Sequence, residues 1–482
     1  MTDIEYAWSA LEGDPALPAR ITTVEREGAL TARLPVRRLA RACVGACALA
    51  AAELGAVRAG LDRVPAVRVD DGAVATAFAS ERHLLIDGRA PVSFAPLSRL
   101  WRTADGWVRT HANYPHHRAR LLTALRLGED AGAEEVAAAL AGRSALEVED
   151  TVYAAGGLAV ALRSDEEWAA HPQGAGSAAL PLVERERPDT ARARVFTPLE
   201  GAPLLPAAGL RVLDLTRVLA GPVATRTLAL LGADVLRLDA PHLPELADQH
   251  ADTGFGKRSA TLDLAADRAR FEELLASADV VVTGYRPGAL DRFGLSARAL
   301  TERRPGLVVA ELSAWGRRGP WAGRRGFDSL VQVATGIAVT EGSAREPGAL
   351  PAQALDHGTG YLLAAAVLRA LTEQSYEGGS RVVRLALART AAWLTGADGR
   401  AVPGRAVPSR AVPGPAVPGE RDAAPGERDA AAAYEGPGPW LGGTGGRIGR
   451  LRYALPPVAF AGGPGDWARP PVPWGSDEAR WT

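Results

Sequence analysis

Short apolar segments alternate with helical segments between Val212 and Leu312, and this alternation constrains the fold more than any other feature of the sequence. The apolar segments are RVLDL, ADVLRLD, ADVVVTGY and GLVVAELS, and the segments PVATRTLALLG and RARFEELLAS have a helical pattern. A βαβαβ order is typical of a parallel sheet covered by helices, so we predict an α/β fold. Ligands bind such sheets at the carboxyl ends of the strands. The candidate binding loops are therefore TRVLAGP, DAPHLPEL, GYRPGAL and SAWGRRGP.

The rest of the chain predicts several further units, because its 482 residues exceed the roughly 250–300 residues at which a single core stops growing. In one of them, the segment WRTADGWVRTHANYPHHRARLLTAL predicts a strand, a turn at Asp105–Gly106, a second strand and a helix. We predict an N-terminal helical arm (1–80), a small α+β domain (81–195), a large Rossmann-like domain (205–396), a linker rich in Pro, Ala and Gly (397–434), and a C-terminal tail (435–482) that packs back on the large domain.

Two distant parts of the sequence resemble each other. LPVRRLARACVGACALAAA from Leu34 aligns with LPAQALDHGTGYLLAAAVL from Leu350, and AVRVD at 66 aligns with VVRLA at 382 at the same offset of 316 residues. One hypothesis is that the N-terminal arm is a degenerate copy of the second region. The alternative is that Ala-rich helices resemble one another without common origin. If the copy is real, Asp356 is matched by Ala40.

Composition excludes some partners. The formal net charge of −1 gives no general attraction to nucleic acid or to an anionic membrane, so any anion must be bound locally. Cys43 and Cys47 lie at helical spacing and are expected to be small buried side chains. His116 and His117 lack partners at metal-ligand spacing, so we predict no metal site. The N-terminus has no apolar signal segment, and no run of 18 apolar residues occurs, which predicts a cytoplasmic protein with no membrane partner.

Asp356 stands alone before a long, nearly uncharged helical run in the stretch PAQALDHGTGYLLAAAVLRAL. An acid in front of a helix can be an N-cap that accepts backbone N–H bonds. The alternative is a functional carboxylate. His357 beside it is either a proton carrier or a polar surface residue.

Several strings around this stretch occur in an order that resembles the family III coenzyme A transferases. They are VLDLTRVLAGPVATRTLALLGADVLRLDAP, GKRSATLDL, VVVTGYRPGALDRFGLS, ELSAWGRRGPWAGRRGFDSLVQVATGI and LDHGTGYLLAAAVLRAL. This family contains formyl-CoA, carnitine and bile-acid CoA-transferases, with α-methylacyl-CoA racemases as relatives. The resemblance implies a Rossmann-like CoA-binding domain with a smaller α+β domain. Here the small domain precedes the large one, so the order of the family fold is rearranged.

The resemblance places the catalytic aspartate of the family on Asp356, within DHGTG. It implies that this carboxylate attacks the thioester of an acyl-CoA to give a mixed anhydride, and that CoA then passes to an acceptor acid through an aspartyl-CoA thioester. A turn at Gly358-Thr359-Gly360 is expected to leave room for the acyl group and to present N–H donors to the oxyanion. The implied substrates are an acyl-CoA and a carboxylic acid. CoA is part of the substrate, and no tightly bound cofactor is expected.

The CoA-binding positions of the family also have counterparts here. Arg and Lys side chains suit the 3′-phosphate and pyrophosphate of CoA. The counterparts are Val218, Leu219, Ala220, Lys257, Arg258, Tyr285, Arg286, Arg292 and Arg325.

The sequence departs from the family at two of these motifs. Leu219 stands where several transferases have a glutamine that steadies the acyl group, and leucine cannot donate a hydrogen bond. Phe327, in GFDSL, stands where the racemases have a histidine, which disfavours racemisation. Binding of a dinucleotide is also disfavoured, because TRVLAGPVA has one glycine where that motif has three.

Three functions remain open at this stage. The first is an acyl-CoA:carboxylate CoA-transferase, the second is a racemase-like or dehydratase-like enzyme of the same fold, and the third is a non-catalytic CoA-binding relative. Members of the family form interlocked dimers. We therefore expect either a homodimer or a single chain whose N-terminal half acts as the partner.

Overall fold

The computed structural model describes residues 1–400 and 432–482, and nearly all of the predicted linker lies outside the described residues. The helices are α1 Asp3–Ala10, α2 Val36–Ala59, α3 Asp71–Ala77, α4 Ser80–His83, α5 Pro115–Ala124, α6 Ala133–Ala141, α7 Ala145–Ala154, α8 Asp165–Ala170, α9 Pro172–Ala178, α10 Ala220–Leu230, α11 Ala247–Thr253, α12 Arg268–Leu275, α13 Ala297–Arg303, α14 Asp328–Ala334, α15 Ile337–Glu341, α16 Ala354–Glu377 and α17 Leu387–Thr395. The strands are β1 Ile21–Val24, β2 Arg26–Glu27, β3 Val67–Asp70, β4 Leu85–Ile86, β5 Leu100–Arg102, β6 Trp107–Thr110, β7 Ala159–Ala161, β8 Glu184–Glu186, β9 Arg211–Leu215, β10 Asp234–Asp239, β11 Arg258–Thr261, β12 Val280–Thr283, β13 Val308–Ser313, β14 Arg381–Ala386, β15 Ala432–Ala433, β16 Leu441–Gly446 and β17 Gly449–Ala454.

A seven-stranded sheet in the order β11-β10-β9-β12-β13-β14-β8 forms the centre of the large domain. All neighbours are parallel except β8, which pairs antiparallel to β14 at the edge. Alternate residues of a strand point to opposite faces. Val212 and Val280 therefore face the central helices, whereas the next residues, Leu213 and Val281, face the core beneath α12 and α13. The predicted parallel α/β sheet is confirmed.

Two 24-residue helices, α2 and α16, pack against each other on one face of this sheet, and α10 packs against α16. The predicted Ala-rich helix near the N-terminus is thus present, and Cys43 and Cys47 are buried within it as expected. By length and composition α2 could cross a membrane, but 83% of its apolar window is buried inside the protein, as in the core helix of a soluble protein.

The elements that follow α2 and α16 keep the spacing found in the sequence. Asp71 begins α3, and Leu387, 316 residues later, begins α17. Each of these short helices follows a strand, β3 or β14, that comes after the long helix. Moreover, Glu53 of α2 accepts a hydrogen bond from Arg369 of α16 at 2.6 Å, and these two residues are also 316 positions apart. Matched positions that touch each other are expected near a two-fold axis. The geometry favours the copy hypothesis.

The small domain is built on the antiparallel sheet β5-β6-β7, with α5, α6 and α7 closing its own core. Trp101 pairs with Val108 across the predicted hairpin, and α5 follows, so the predicted order of elements is confirmed. Strands β6 and β7 contact α14 of the large domain. This contact brings the end of β6 close to the start of α14.

The C-terminal segment lies on the large domain. Strands β16 and β17 form a sheet with β4. Three indole N–H groups then fasten the chain: Trp467 donates to the carbonyl of Arg226, Trp474 to Asp239, and Trp481 to the carbonyl of Leu274.

Candidate active site

Two cavities meet at Asp356. We call the larger, of about 480 Å³, the long cleft, and the smaller, of about 350 Å³, the inner chamber. Both are lined by Tyr114, Val218, Leu219, Phe327 and Asp356. The long cleft follows the carboxyl ends of β9, β10, β12 and β13, and its lining includes Arg217, Arg286, Arg292, Arg324 and Arg325. The inner chamber lies between the small domain and the start of α16, and its lining includes Glu81, Phe94, His111, Asn113, Ser329 and Gln353.

Asp356 is the third residue of α16 and is only 6% exposed. Its carboxyl oxygens have no hydrogen-bond or ion-pair partner among the described residues. Burial, followed by the negative charges of Asp328 and Glu81, raises the pKa of Asp356 well above its usual value. A buried carboxyl group that no neighbour neutralises is costly for folding, and such groups concentrate at functional sites.

Asp328 fixes the start of α16. One of its carboxyl oxygens accepts hydrogen bonds from the backbone N–H groups of Leu355 and Asp356, each at 2.9 Å. The other oxygen accepts from the side chain of Gln332, one turn along α14. Burial raises the pKa of Asp328 to about 6. Asp328 and Asp356 are therefore close together at the start of α16, and Asp328 fixes the backbone of Asp356.

Two expectations for this stretch are wrong. Asp356 is not an N-cap, because α16 begins at Ala354 and Asp328 from another helix accepts its first amides. Gly358, Thr359 and Gly360 form no turn but lie inside α16. At Gly360 an added Cβ would be 2.5 Å from the carbonyl oxygen of Ala220, so the glycine permits close packing of two helices. Amides inside a helix cannot serve as oxyanion donors.

The loop of Val218 and Leu219 separates the two cavities and is held in an unusual conformation. Val218 has φ +71°, a left-handed value that is costly for a β-branched residue. Its N–H donates to Glu245 at 3.1 Å, and Tyr114 of the small domain donates its hydroxyl to the same carboxylate. Burial opposes the charge of Glu245, but Arg237 and Arg217 outweigh it and lower the pKa of Glu245 to about 2. This carboxylate ties the loop to the small domain.

The long cleft has an excess of unpaired positive charge. Among the described residues, Arg286, Arg292 and Arg325 have no carboxylate partner, and all three are exposed in the cleft. Burial, followed by the positive charges of Arg120 and Arg286, lowers the pKa of Arg325. Arg325 is therefore close enough to both of these arginines to be repelled by them. Tyr285 lines the cleft beside them, and Val218, Leu219 and Ala220 line its inner end. Seven of the nine predicted CoA-binding residues thus line one cavity.

Lys257 and Arg258 are the two exceptions, and the structure places them away from both cavities. Lys257 is 2% exposed and donates to Asp214, to Thr225 and to the carbonyl of Pro222. Arg258 begins β11 and pairs with Asp234 at 2.8 Å. Their charges are used inside the protein because both stand on or before a buried strand. The prediction that they bind CoA is corrected.

The small domain contributes His111, which directly follows β6. Its ring stacks on Phe327 with centroids 3.8 Å apart and an interplanar angle of 10°. His357 on α16 is fully buried and hydrogen-bonded to Glu81 at 3.2 Å, so it is not a surface residue. Phe327, the residue before α14, lines both cavities.

Sequence reasoning missed several residues of the site. Asp328 lies in GFDSL. The signal that could have identified it is an acid directly after Phe327, the position compared with the racemase histidine. Arg324 adjoins Arg325 in GRRG. The others come from three separate segments that nothing in the sequence brings together: Glu81, the pair His111 and Tyr114, and Glu245.

Comparisons with known proteins agree on one family. The model of CoA-transferase family III matches residues 207–425. The probable fatty acyl-CoA transferase Rv3272 of Mycobacterium tuberculosis is 36% identical over 211 residues, which are 40% of this chain and 53% of that protein. The formyl-CoA:oxalate CoA-transferase of Streptomyces coelicolor is 35% identical over 193 residues, 37% of this chain and 47% of that protein.

Other relatives also match in part. The acetyl-coenzyme A transferase nodX of Hypoxylon pulicicidum is 35% identical over 207 residues, 41% of this chain and 35% of that protein. A crystal structure of Rv3272 is 35% identical, covers 39% of this chain and 57% of that one, and has a TM-score of 0.37. The chain thus spans 35% to 53% of the length of these three curated relatives.

Proposed function

We propose that the chain, which matches CoA-transferase family III through residues 207–425, transfers coenzyme A from an acyl-CoA thioester to a carboxylic acid. One observation carries this proposal. A buried carboxyl group without a partner among the described residues, on Asp356, lies where a cleft lined by unpaired arginines meets a second chamber. The cleft suits the anionic end of CoA, and the chamber suits the acid.

CoA is proposed to lie in the long cleft. The sheet order, with β9 between β10 and β12 and crossovers on both sides, is that of Rossmann-like nucleotide-binding sheets, whose ligands lie at this edge. Arg286, Arg292 and Arg325 are assigned to the phosphates, because guanidinium groups without carboxylate partners attract them. Tyr285 is assigned to the nucleotide, and the Val218–Ala220 segment to the pantetheine arm that leads to Asp356.

Asp356 is proposed to be the nucleophile. Its carboxylate attacks the thioester carbonyl, the C–S bond breaks, and CoA leaves as a thiolate beside a mixed anhydride. The thiolate attacks the aspartyl carbonyl, which releases the first acid and leaves an aspartyl-CoA thioester. The incoming carboxylate then attacks this thioester, and the same two steps in reverse produce the new acyl-CoA and restore Asp356. Asp328 holds the backbone of Asp356 during these steps.

The active site is proposed to be complete within one chain. Strands β6 and β7 of the small domain contact α14, and Tyr114 closes the loop at Val218, so both sides of the chamber come from the same polypeptide. The copy of the α16 region in the N-terminal arm supplies the central packing that a second subunit supplies in a two-fold dimer. We propose a cytoplasmic, intramolecular pseudo-dimer that needs no cofactor besides the CoA of its substrate.

The substrates are tested with a panel. The relatives include formyl-CoA:oxalate, acetyl-CoA:oxalate and succinyl-CoA:L-malate transferases, so these donors and acceptors, with fatty acids, are the first set. The full chain is incubated with each pair, and new acyl-CoA is detected by mass spectrometry. Hydroxylamine added during turnover traps the acylated aspartate as a hydroxamate, which peptide mapping should locate at Asp356.

The variant Asp356→Ala separates the alternatives. We expect it to lose transfer and the hydroxamate by about 1,000-fold or more, because the nucleophile is gone, while it still binds CoA in equilibrium dialysis. Wild-type protein that binds CoA but forms neither product nor hydroxamate would be a non-catalytic relative. Exchange of the α-hydrogen of an acyl-CoA with deuterated water, without transfer, would indicate a racemase-like enzyme.

A further inference from the structure

His111 is buried without using either of its ring nitrogens. The side chain is 4% exposed, and among the described residues neither Nδ1 nor Nε2 has a hydrogen-bond partner. The buried histidines His250 and His357 differ, because each has Nε2 in a hydrogen bond. A donor or acceptor buried without a partner destabilises the fold. The hydrogen-bond partner of the His111 ring is therefore expected to be a bound ligand.

The position of the ring indicates where that molecule lies. The flat side of His111 stacks on Phe327, so the plane of the ring is fixed, and both ring nitrogens are closed off from solvent in this structure. The residue lines the inner chamber together with Asp356 and Leu219. A ligand that reaches Asp356 through this chamber therefore lies in the cavity that His111 also lines.

The charge around the chamber is mixed, because the carboxylates of Glu81, Asp248 and Asp356 line it together with Arg82 and Arg89. The cation that can favour an anion stands behind this lining. Arg109, two residues before His111 on the same strand face, has no carboxylate partner among the described residues, and its buried Nε is unbonded. Its guanidinium packs over Phe94, 5.0 Å from the ring centroid, and Phe94 lines the chamber. The two arginines of the lining are paired: Arg89 with Asp248 at 2.5 Å and Arg82 with Glu81 at 3.8 Å. Burial, then the charge of Arg109, lowers the pKa of His111 to about 3, so the imidazole is neutral and has one N–H to donate.

We propose that the inner chamber is the acid subsite of the transfer reaction and that His111 is a catalytic residue within it. Its N–H donates a hydrogen bond to the oxygen of the acyl group or carboxylate that reacts at Asp356, and Arg109 adds positive potential. This inference rests on the proposed function. As the carboxylate of Asp356 bonds to the carbonyl carbon, negative charge moves to the carbonyl oxygen. The C–S bond then breaks, and the proton stays on His111 throughout.

The assignment supplies a donor at a site where Leu219 and the Gly358–Gly360 segment supply none. Leu219 has no polar side-chain atom, and the amides of Gly358 to Gly360 lie inside α16. On this assignment the small domain provides a hydrogen-bond donor to the reaction at Asp356.

The test compares His111→Phe and His111→Asn in the full chain, with acetyl-CoA as donor and oxalate as the first acceptor, followed by the other pairs of the panel. We expect kcat to fall by about 100-fold in His111→Phe, because one oxyanion donor is removed, with a higher KM for the acid and an unchanged dissociation constant for CoA. The Asn side chain retains an N–H donor, so His111→Asn should recover part of kcat. His83→Asn, which lines neither cavity, is the matched control and should be unchanged.

Two further readouts separate this role from a structural one. His111→Phe should keep or raise the melting temperature of the wild type, since no hydrogen bond within the protein is lost and two buried nitrogens without partners are removed. In protein labelled with ¹⁵N-histidine, the ring nitrogens of His111 should shift when an unreactive ketone analogue of acetyl-CoA binds, and the signals of His83 should not. If the wild type transfers CoA and His111→Phe does so equally fast, this inference is overturned while the proposed function stands. If the wild type catalyses no transfer with any pair, the proposed function fails, and the inference fails with it.

Discussion

The helices α2 and α16 have the same length, pack against each other and are followed by the same elements, yet their first turns differ in chemistry. Position 356 is an unpaired aspartic acid in α16, and the matching position of α2 is Ala40, which is fully buried. The pair of helices therefore forms the core with or without the acid. Under the proposed function, the acid adds reactivity.

Asp71, a buried acid at the start of α3 that contacts α2 through Arg41, has a different environment from Asp356. Asp71 is 1% exposed, and its two oxygens accept from Arg41 at 2.8 and 2.7 Å and from the backbone N–H of Arg26 at 3.0 Å. Asp356 has no such partner. A buried acid that serves the fold is neutralised, because an unpaired charge costs several kcal/mol. An unpaired one is kept where a reaction needs it.

The arginines differ in the same way. In the N-terminal arm, Arg26 pairs with Asp70 at 2.6 Å and Arg41 pairs with Asp71. In the long cleft, Arg286 and Arg325 have no carboxylate partner among the described residues. Pairing removes the charge from use, so Arg26 and Arg41 are not available for an anion, whereas Arg286 and Arg325 are.

The first test of this comparison places an acid in α2, which we call the silent helix because it lacks the aspartic acid of α16. Ala40→Asp should lower the free energy of unfolding by about 3–5 kcal/mol, because it buries a charge with no designed partner. Urea denaturation followed by circular dichroism measures the loss. No hydroxamate should form at position 40, since Ala40 lines neither cavity. A stable variant that is acylated at position 40 would show that the N-terminal arm retains a second active site.

Periodicity and spacing predicted the fold well where elements are local. The strands β9, β10, β12 and β13 and the hairpin at Asp105–Gly106 follow from apolar segments and turn residues. Strands β8 and β14 were not predicted. Strand β8 is short and polar, and it is a strand only because β14 offers it an edge with which to pair. Such pairing depends on the rest of the fold, and no local pattern encodes it.

The site was predictable only in part. Seven cavity residues were found through the family resemblance, and five of them also lie in loops that leave the predicted strands. Lys257 and Arg258 lie in the same kind of motif, but partners from distant segments, Asp214 and Asp234, neutralise them. His111 joins the site because β6 contacts α14, and a contact between domains has no sequence signal without an alignment. Charge alone cannot tell a binding cation from a structural one.

The second prediction is a gain in stability at the active helix. Asp356→Asn should raise the free energy of unfolding at pH 7 to 8 by about 0.5–2 kcal/mol, because it removes a carboxyl group that folding keeps from ionising. The raised pKa gives the sign: wild-type stability falls as the pH rises from about 4, the pKa in the unfolded chain, through the folded pKa. Below about pH 4 both proteins should be equally stable.

The matched substitution in the N-terminal arm should change the free energy of unfolding in the opposite direction. Asp71→Asn leaves Arg41 with a neutral partner and should lower the free energy of unfolding by about 3 kcal/mol. Both variants are measured by urea denaturation between pH 4 and pH 8. If Asp356→Asn destabilises the protein as much as Asp71→Asn does, the carboxyl group of Asp356 has a structural partner and the contrast between the two helices is lost.

The smallest expected effect concerns the neighbour of the nucleophile. Asp328→Asn removes a negative charge beside Asp356, so the pKa of Asp356 falls and the carboxylate forms at lower pH. Transfer requires that carboxylate, so the acid limb of the kcat/KM profile should move down by about one pH unit. Asn still accepts the amides of Leu355 and Asp356, but Gln332 loses its acceptor. Stability should therefore fall by about 1 kcal/mol.

The direction of that shift decides between two roles for Asp328. If it only caps α16, Asp328→Asn keeps the cap and the pH profile stays where it is. If its charge also controls the proton on Asp356, the profile moves to lower pH even though the fold is slightly less stable. Asp328→Ala removes cap and charge together, so a larger loss of kcat in this variant measures the contribution of the cap. The silent helix α2 begins without any side-chain cap. A long helix of this protein thus forms without one, and the cap on α16 serves to position Asp356.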